Sequence, residues 1–388
     1  MQDLSTTVAA GFNSTYGGDP SVISRAPGRL EILGNHTDYN EGVVLSTAVD
    51  RVTVIAAGPA DHATRCRVHD LRDGSSREFH INDLADPTPG DWANYIRGLV
   101  DQLRRRAIEI APFDMVMNSN VPLSAGMSSS AALEMAALTA IDSLNALDLD
   151  WLEKAKIGQA CENQYVGANT GLMDQFSSLR GEAGRLVFSD FRSLTVQTVP
   201  FPDDYSLIVA NTNVKHVLTG AYNERRERCE QAVRELRETG MDAISALRDV
   251  SLDQLLQNWT HLDITAARRA RHVVAENERV LKGIEDLRAG RIAEFGDKLF
   301  ASHESSRVDF ENSCDELDIL VEIAHSLPGA NGARLSGGGF GGITVHLVDD
   351  NHAESYAQRL ATAYRSRTGS DCETMVCQPG AGATVELL

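Results

Sequence analysis

The amino-acid sequence predicts a protein of mixed α and β class, α/β or α+β, folded as two lobes or as one unusually large lobe. Three observations point there. At 388 residues the chain is more than twice the usual domain length of about 150. Its hydrophobic fraction of 42% and charged fraction of 23% are those of a folded globular protein, with no low-complexity tract or internal repeat. Runs of β-branched and apolar residues alternate along it with segments of helical apolar spacing.

In chain order, residues 21–24 and 43–57 carry apolar, β-branched runs, and DYNEG at 38–42 between them has turn composition. This makes a strand, turn, strand unit. Residues 91–105 and 128–144 have helical spacing, the second opening on serines suited to cap a helix. Residues 207–212 read as a short strand, whereas 219–239 and 264–291, rich in Glu, Arg and Ala, read as exposed helices. A glycine run precedes a last strand at 345–347. At 200–204, two prolines flank Phe201 before Asp203 and Asp204, which suggests a connection and places the lobes at 1–203 and 204–388.

Charge narrows the function. Asp and Glu number 55 against 36 Lys and Arg, a net charge of −19 that opposes nucleic acid and anionic membranes. Any anionic ligand must then be held by local donors. The N-terminus has no basic start followed by an apolar run, and no stretch approaches the ~20 apolar residues of a membrane span. Six scattered cysteines without a CxxC or a Cys/His cluster read as reduced thiols, and the expected location is cytoplasmic.

Three segments carry chemistry: APGRLEILGNHTDYNEG at 26–42, VPLSAGMSSSAALE at 121–134 and LSGGGFGGITV at 335–345. In the second, Gly126 allows close approach of a backbone, and Ser128, Ser129 and Ser130 offer hydroxyls and amides at the positive end of a helix. It reads as a phosphate cradle without a P-loop lysine, or equally as a serine-rich cap after a turn. Five glycines within 337–342 imply a backbone approaching a ligand or another loop. The first segment gathers Arg29, Glu31, Asn35, His36, Asp38 and Asn40, an array able to hydrogen-bond several sugar hydroxyls. Asp174, set among apolar residues in GLMDQF, is a candidate base. Glu162 could supply a carboxylate to Mg²⁺, although by itself it reads as a helix-surface residue.

Together these segments resemble the galactokinase branch of the GHMP small-molecule kinases, with GLMDQF, WANY at 92–95 and RARHVV at 269–274 also similar. HTDYN is specific to that branch. The resemblance implies an α+β, two-lobed GHMP kinase fold, with an N-terminal lobe like ribosomal protein S5 domain 2, a ferredoxin-like C-terminal lobe and the active site between them. It implies an ATP-dependent sugar 1-kinase, galactose the leading substrate, with ATP and Mg²⁺ required; the sequence leaves the oligomeric state open, a monomer being favoured. Asp174 is then the catalytic carboxylate beside the anomeric hydroxyl, with Arg29 close to it. Ser130 and Glu162 hold Mg²⁺. Glu31, Asn35, His36, Asp38, Gly171 and Tyr222 fall to the sugar, Gly126, Ser128, Ser129 and Ser130 to the nucleotide phosphates, and Trp92 and Tyr95 to the adenine.

One departure concerns the substrate. The family usually reads N-L-I-G-E-H where this chain has E-I-L-G-N-H from Glu31 to His36, so Asn and Glu exchange places four residues apart. In that family the second position is the glutamate that contacts the sugar's 6-hydroxyl. Asn35 brings no charge, so a 6-carboxylate is repelled less and galacturonate becomes an alternative substrate; a C2-modified sugar such as N-acetylgalactosamine is a further alternative. Residues 31 and 35 share parity along an extended strand, however, so Glu31 can return the carboxylate from the same face. A non-catalytic galactose and ATP sensor is the alternative of another class, against which stand Ser130-Ala131, Asp174 and Arg29.

Overall fold

The computed structural model describes residues 3–122, 126–168, 170–215 and 219–388; Leu123, Ser124 and Ala125 of the second motif lie outside the described residues. Helix α1 (Leu4–Tyr16), capped by the Asp3 carboxylate, leads into strand β1 (Val22–Leu33). A turn at Asp38–Asn40 returns the chain as β2 (Val43–Pro59), giving the strand, turn, strand unit that the first motif predicts. Strands β3 (Arg65–Asp70) and β4 (Ser76–His80), helix α2 (Ala93–Arg105) and strand β5 (Phe113–Ser119) follow. Helix α3 (Ser129–Asn145) opens in the second motif; α4 (Trp151–Ala160) passes through a π-type turn at Cys161–Val166 before α5 (Met173–Arg180). Strands β6 (Arg185–Asp190) and β7 (Thr195–Pro200) close the first half.

The second half runs β8 (Tyr205–Lys215), α6 (Thr219–Glu238), α7 (Leu252–Gln257), α8 (Ile264–Arg288), α9 (Ile292–Ser305), α10 (Asp315–Ser326), β9 (Ala330–Ser336), β10 (Gly341–Asp349), α11 (Ala353–Thr368), β11 (Glu373–Cys377) and β12 (Thr384–Leu387). Two sheets result. The larger has the order β12-β1-β2-β5-β3-β4, with β6 on β2 and β7 on β6; the smaller is the antiparallel order β11-β8-β10-β9. The last strand therefore returns to the first sheet, pairing Val22 with Leu387.

Strand alternation sets the layers. Val54 and Ala56 pack with Val8 and Phe12 of α1, while their neighbours Ile55 and Ala57 pack with Leu99 of α2 and Ala136 of α3. In the smaller sheet Ile208 and Ala210 lie under α10 and α11 with Tyr356 and Leu360. Its opposite face, with Leu207, Val209, Ile343 and Val345, shares one core with Leu30 and Leu45 of the first sheet and Val280 and Phe295 of α8 and α9. The two sheets thus meet across apolar side chains, and the cleft opens beside that seam.

The expectation of exposed helices at 219–239 and 264–291 fails. Cys229, Ala232 and Leu236 of α6 pack against Ala266, Ala270 and Val273 of α8, and α8 also buries His272 and Glu276. A helix rich in Glu and Arg can be buried where those side chains find partners, as His272 and Glu276 do below. Among the described residues no helix is long and apolar enough to cross a membrane.

Candidate active site

Strand β1 supplies the first two side chains. Its register against β2 shifts between Pro27 and Arg29, a bulge that turns Gly28 toward the second motif. A Cβ there would stand 2.6 Å from the Met127 carbonyl oxygen, which instead accepts from Arg29 N at 3.0 Å. Regular pairing resumes over residues 29–31, so Arg29 and Glu31 share one face while Leu30 enters the core on the other.

Arg29 lies between two partners. Its Nε and Nη2 donate to the two oxygens of Asp174 at 2.6 and 3.0 Å, and its Nη1 donates to the Gly126 carbonyl at 2.6 Å. Asp174 sits in the first turn of α5, and its Oδ2 also accepts from the Ser128 hydroxyl. Ser128 precedes α3 but does not cap it: its backbone is left-handed, φ 51°, and its hydroxyl is used on Asp174. The first N–H groups of α3, at Ser129 and Ser130, are thereby left for an anion beside Arg29.

On the other side of the cleft, the turn after β1 is held from behind by α8. Glu276 Oε1 accepts from Gly34 N at 2.9 Å and from Ser302 Oγ at 2.6 Å, and His272 Nε2 lies 3.0 Å from the Asn35 carbonyl. Burial alone would raise the Glu276 carboxyl, but Arg279, Arg334 and His272 hold it well below the usual range. His36 has a left-handed backbone, φ 59°. Its Nε2 lies 3.1 Å from the Gly338 carbonyl and so carries the proton, which leaves Nδ1 to accept from the Tyr39 hydroxyl at 2.8 Å. Burial pushes the His36 imidazole down to about 3, keeping it neutral. Its ring also packs on Tyr222 at 5.1 Å between centroids. Asp38 rests directly on Gly171, where a Cβ would fall 1.6 Å from the Asp38 Oδ2. Burial, helped by the charges of Glu31 and Asp174, pushes the Asp38 carboxyl up to about 7.

Asn35 is completely buried and its amide is fully used: Nδ2 donates to Glu31 Oε1 at 2.9 Å and to the Gly337 carbonyl at 2.8 Å, and Oδ1 accepts from Asn312 and Ser306 at 2.8 and 3.3 Å. The glycine run serves both purposes open to it. Gly337 and Gly338 line the cleft, whereas a Cβ on Gly339 would stand 2.1 Å from the Asn312 carbonyl oxygen, so there loop packs on loop.

A second acidic cluster lies along α3. Glu162 is 3% exposed rather than on a helix surface, because the π-type turn carries it inward. Its Oε1 accepts from Ser130 Oγ at 3.0 Å, and its Oε2 from Thr170 Oγ1 at 2.5 Å. Gln175 Nε2 lies 3.3 Å from both Glu162 Oε2 and Glu134 Oε2. Burial first, and then Asp174, raise the Glu162 carboxyl; burial and Glu162 raise Glu134 well above its ordinary value. Two buried carboxylates and serine and threonine hydroxyls form a hard oxygen set short of positive charge, which fits a divalent cation such as Mg²⁺. Tyr95 borders this cluster. Trp92 faces the β3 and β4 turn, with its indole N–H on Ser75 Oγ at 3.1 Å and Arg77 over its ring.

One cavity of about 260 Å³ gathers Arg29, Glu31, Asn35, His36, Asp38, Gly171, Asp174 and Tyr222. Gly126, Ser128, Ser129, Ser130, Glu162 and Tyr95 stand along α3 beside it, and Trp92 does not reach it. Sequence reasoning missed Arg334, Asn312, Gln175 and Glu276. Arg334 adjoins the glycine motif and Gln175 adjoins Asp174, so adjacency was the available signal; Asn312 and Glu276 had none.

The chain matches three family signatures: the galactokinase galactose-binding signature at residues 10–59, the GHMP kinases N terminal domain at 94–182 and the GHMP kinases C terminal domain at 284–366. It is 40% identical to a galactokinase of Chloroflexus aurantiacus over 99% of this chain and 98% of that one. To a galactokinase of Roseiflexus sp. it is 42% identical over 96% and 94%. Among solved structures, Lactococcus lactis galactokinase complexed with galactose superposes with a TM-score of 0.92 at 31% identity, covering 98% of this chain and 99% of that one.

Proposed function

The chain belongs to the GHMP kinases, in their galactokinase branch, and on that premise we propose that it transfers the terminal phosphoryl group of ATP to the anomeric hydroxyl of galactose. The observation that carries this reading is the Arg29 and Asp174 pair, set where a cavity rich in hydroxyl-binding groups meets the free N-terminus of α3.

In this mechanism Asp174 accepts or orients the proton of the attacking hydroxyl, and Arg29 and the Ser128 hydroxyl hold that carboxylate in place. Arg29, tied also to Gly126, stands at the border of sugar and phosphate and offsets charge that develops on the transferred group. The amides of Ser129 and Ser130, at the positive end of α3, hold phosphate oxygens. Ser130 and Glu162 would hold Mg²⁺, which supplies charge neutralisation on the nucleotide phosphates when bound. Glu31 and Asp38 accept sugar hydroxyls, and His36, Gly171 and Tyr222 shape the wall. Tyr95 and the ring of Trp92 are assigned to the adenine side. That all six cysteines are free thiols supports a cytoplasmic enzyme, which we take to act as a monomer.

Sugar-dependent ADP release with MgATP, together with NMR identification of the phosphorylated carbon, tests the proposal. Galactose 1-phosphate is the expected product. Tight sugar and ATP binding without ADP release would overturn it in favour of a sensor.

A further inference from the structure

Resting on that reading, we infer that Glu31 determines the sugar specificity of the cavity: its carboxylate accepts a hydroxyl of a neutral sugar and excludes a sugar that carries its own carboxylate. Asn35, the residue exchanged with it, serves Glu31 instead of the ligand.

Three observations converge on this assignment. Glu31 is 3% exposed, and what remains exposed borders the cavity. Its Oε1 is held by Asn35 Nδ2 at 2.9 Å, and the Arg334 guanidinium lies 2.9 Å away behind it, while Oε2 accepts from no protein donor among the described residues. A buried carboxylate oxygen needs a donor, and the cavity is where one can come from. Arg334 is the largest fully buried side chain among the described residues. Burial pushes the Glu31 carboxyl up, and the Arg334 guanidinium, which stays charged and needs an anion, is the first of the groups that act against its neutralisation. The Asn35 amide, by contrast, has both its donors and its acceptor engaged within the protein and has nothing left for a ligand.

The charges lining the cavity point the same way. Among the described residues that line it, Glu31, Asp38 and Asp174 face Arg29 as the one cation, and Arg29 is already paired with Asp174. A further carboxylate, brought by a uronic acid, would find no free cation there and would face the Glu31 and Asp38 carboxyls in a desolvated space. A hydroxyl donor meets an open acceptor instead.

Calorimetric binding and ADP release, measured for galactose, its 2-, 3-, 4- and 6-deoxy analogues and galacturonate, test the inference on the wild type and Glu31→Gln. We expect the substitution to weaken galactose binding roughly 10- to 100-fold, as for a lost charge-assisted hydrogen bond. One deoxy sugar should lose nothing further, which identifies the hydroxyl, and the preference for galactose over galacturonate should narrow. Because Glu31→Gln leaves Arg334 without its anion, Glu31→Asp is run beside it. That variant keeps the charge, so it should fold, bind galactose more weakly and still reject galacturonate. Additive losses at every hydroxyl with an unchanged galacturonate preference would overturn the role of Glu31. Galactose binding without ADP release would sink the proposed kinase activity alone, because the calorimetric series would still read Glu31. Failure of every sugar to bind the wild type would overturn both.

Discussion

Arg29 and Glu31 stand two residues apart on one face of β1, and each is ion-paired, but the pairs are built with opposite polarity and opposite access. In the first, β1 supplies the cation and α5 the carboxylate, with Asp174 left 18% exposed to the cleft. In the second, β1 supplies the carboxylate and β9 the cation, with Arg334 at 0%. The same strand therefore holds, through Arg29, a carboxylate of α5 that can meet a reacting hydroxyl, and, two residues on, presents a carboxylate of its own that is anchored from behind. An ion pair at a cleft edge can exchange partners during a reaction, whereas one whose cation is sealed in the interior serves as a fixed reference.

The largest expected effect separates the two pairs directly. Asp174→Asn should lower kcat by about 10²- to 10⁴-fold, the usual worth of a positioned acid or base, while galactose binding stays within a few-fold. Steady-state ADP release together with calorimetry checks it; equal losses in binding and turnover would place Asp174 among the sugar contacts. For stability the order reverses. Arg334→Met strands the Glu31 carboxylate in the interior and should cost about 3 kcal/mol in urea unfolding, the lower part of the range for half of a buried pair. Arg29→Met leaves Asp174 able to reach solvent and should cost about 1 kcal/mol. If the two cost the same, the distinction in access is wrong.

Two smaller effects probe the wall between the pairs. Gly171→Ala would drive a methyl into the Asp38 carboxylate, so the KM for galactose should rise about tenfold with the KM for ATP unchanged. Asp38 itself titrates near neutrality. Its folded value of about 7 lies above the unfolded value of about 3.9, so the stability it contributes is full below the lower value and is lost as pH rises through the upper one. Sugar binding runs the other way, because the ionised form is the acceptor. Between about pH 6 and about pH 8 the KM for galactose should fall by up to about tenfold, and Asp38→Asn should flatten that profile.

Much of the site was legible because its residues lie close together along the chain. The first motif is a strand, a turn and a strand, and that geometry brings Arg29, Glu31, His36 and Asp38 to one place whatever surrounds them. The serines and Ala131 likewise announced the start of α3. Of the two readings of the serines, the capping one does not hold at Ser128, because capping is a local preference while its hydroxyl answers to Asp174, 46 residues away. Glu162 looked like a surface residue because helical spacing says nothing of the π-type turn that rotates it inward. The helices at 219–239 and 264–291 looked exposed because a charged side chain reads as solvated until its partner is known.

The sequence by itself determined the mixed class, the order of the three motifs, the membership that their pattern implies and the set of polar side chains available to a sugar and a phosphate. These depend on local spacing and residue chemistry, which the chain carries wherever it goes. Only the tertiary structure decided which of Glu31 and Asn35 has an atom left for a ligand. That choice rests on Arg334, Asn312 and Ser306, some 270 to 300 residues distant. Hydrogen-bond capacity is finite, and what a buried amide or carboxylate can offer a substrate is what its neighbours in space leave unused.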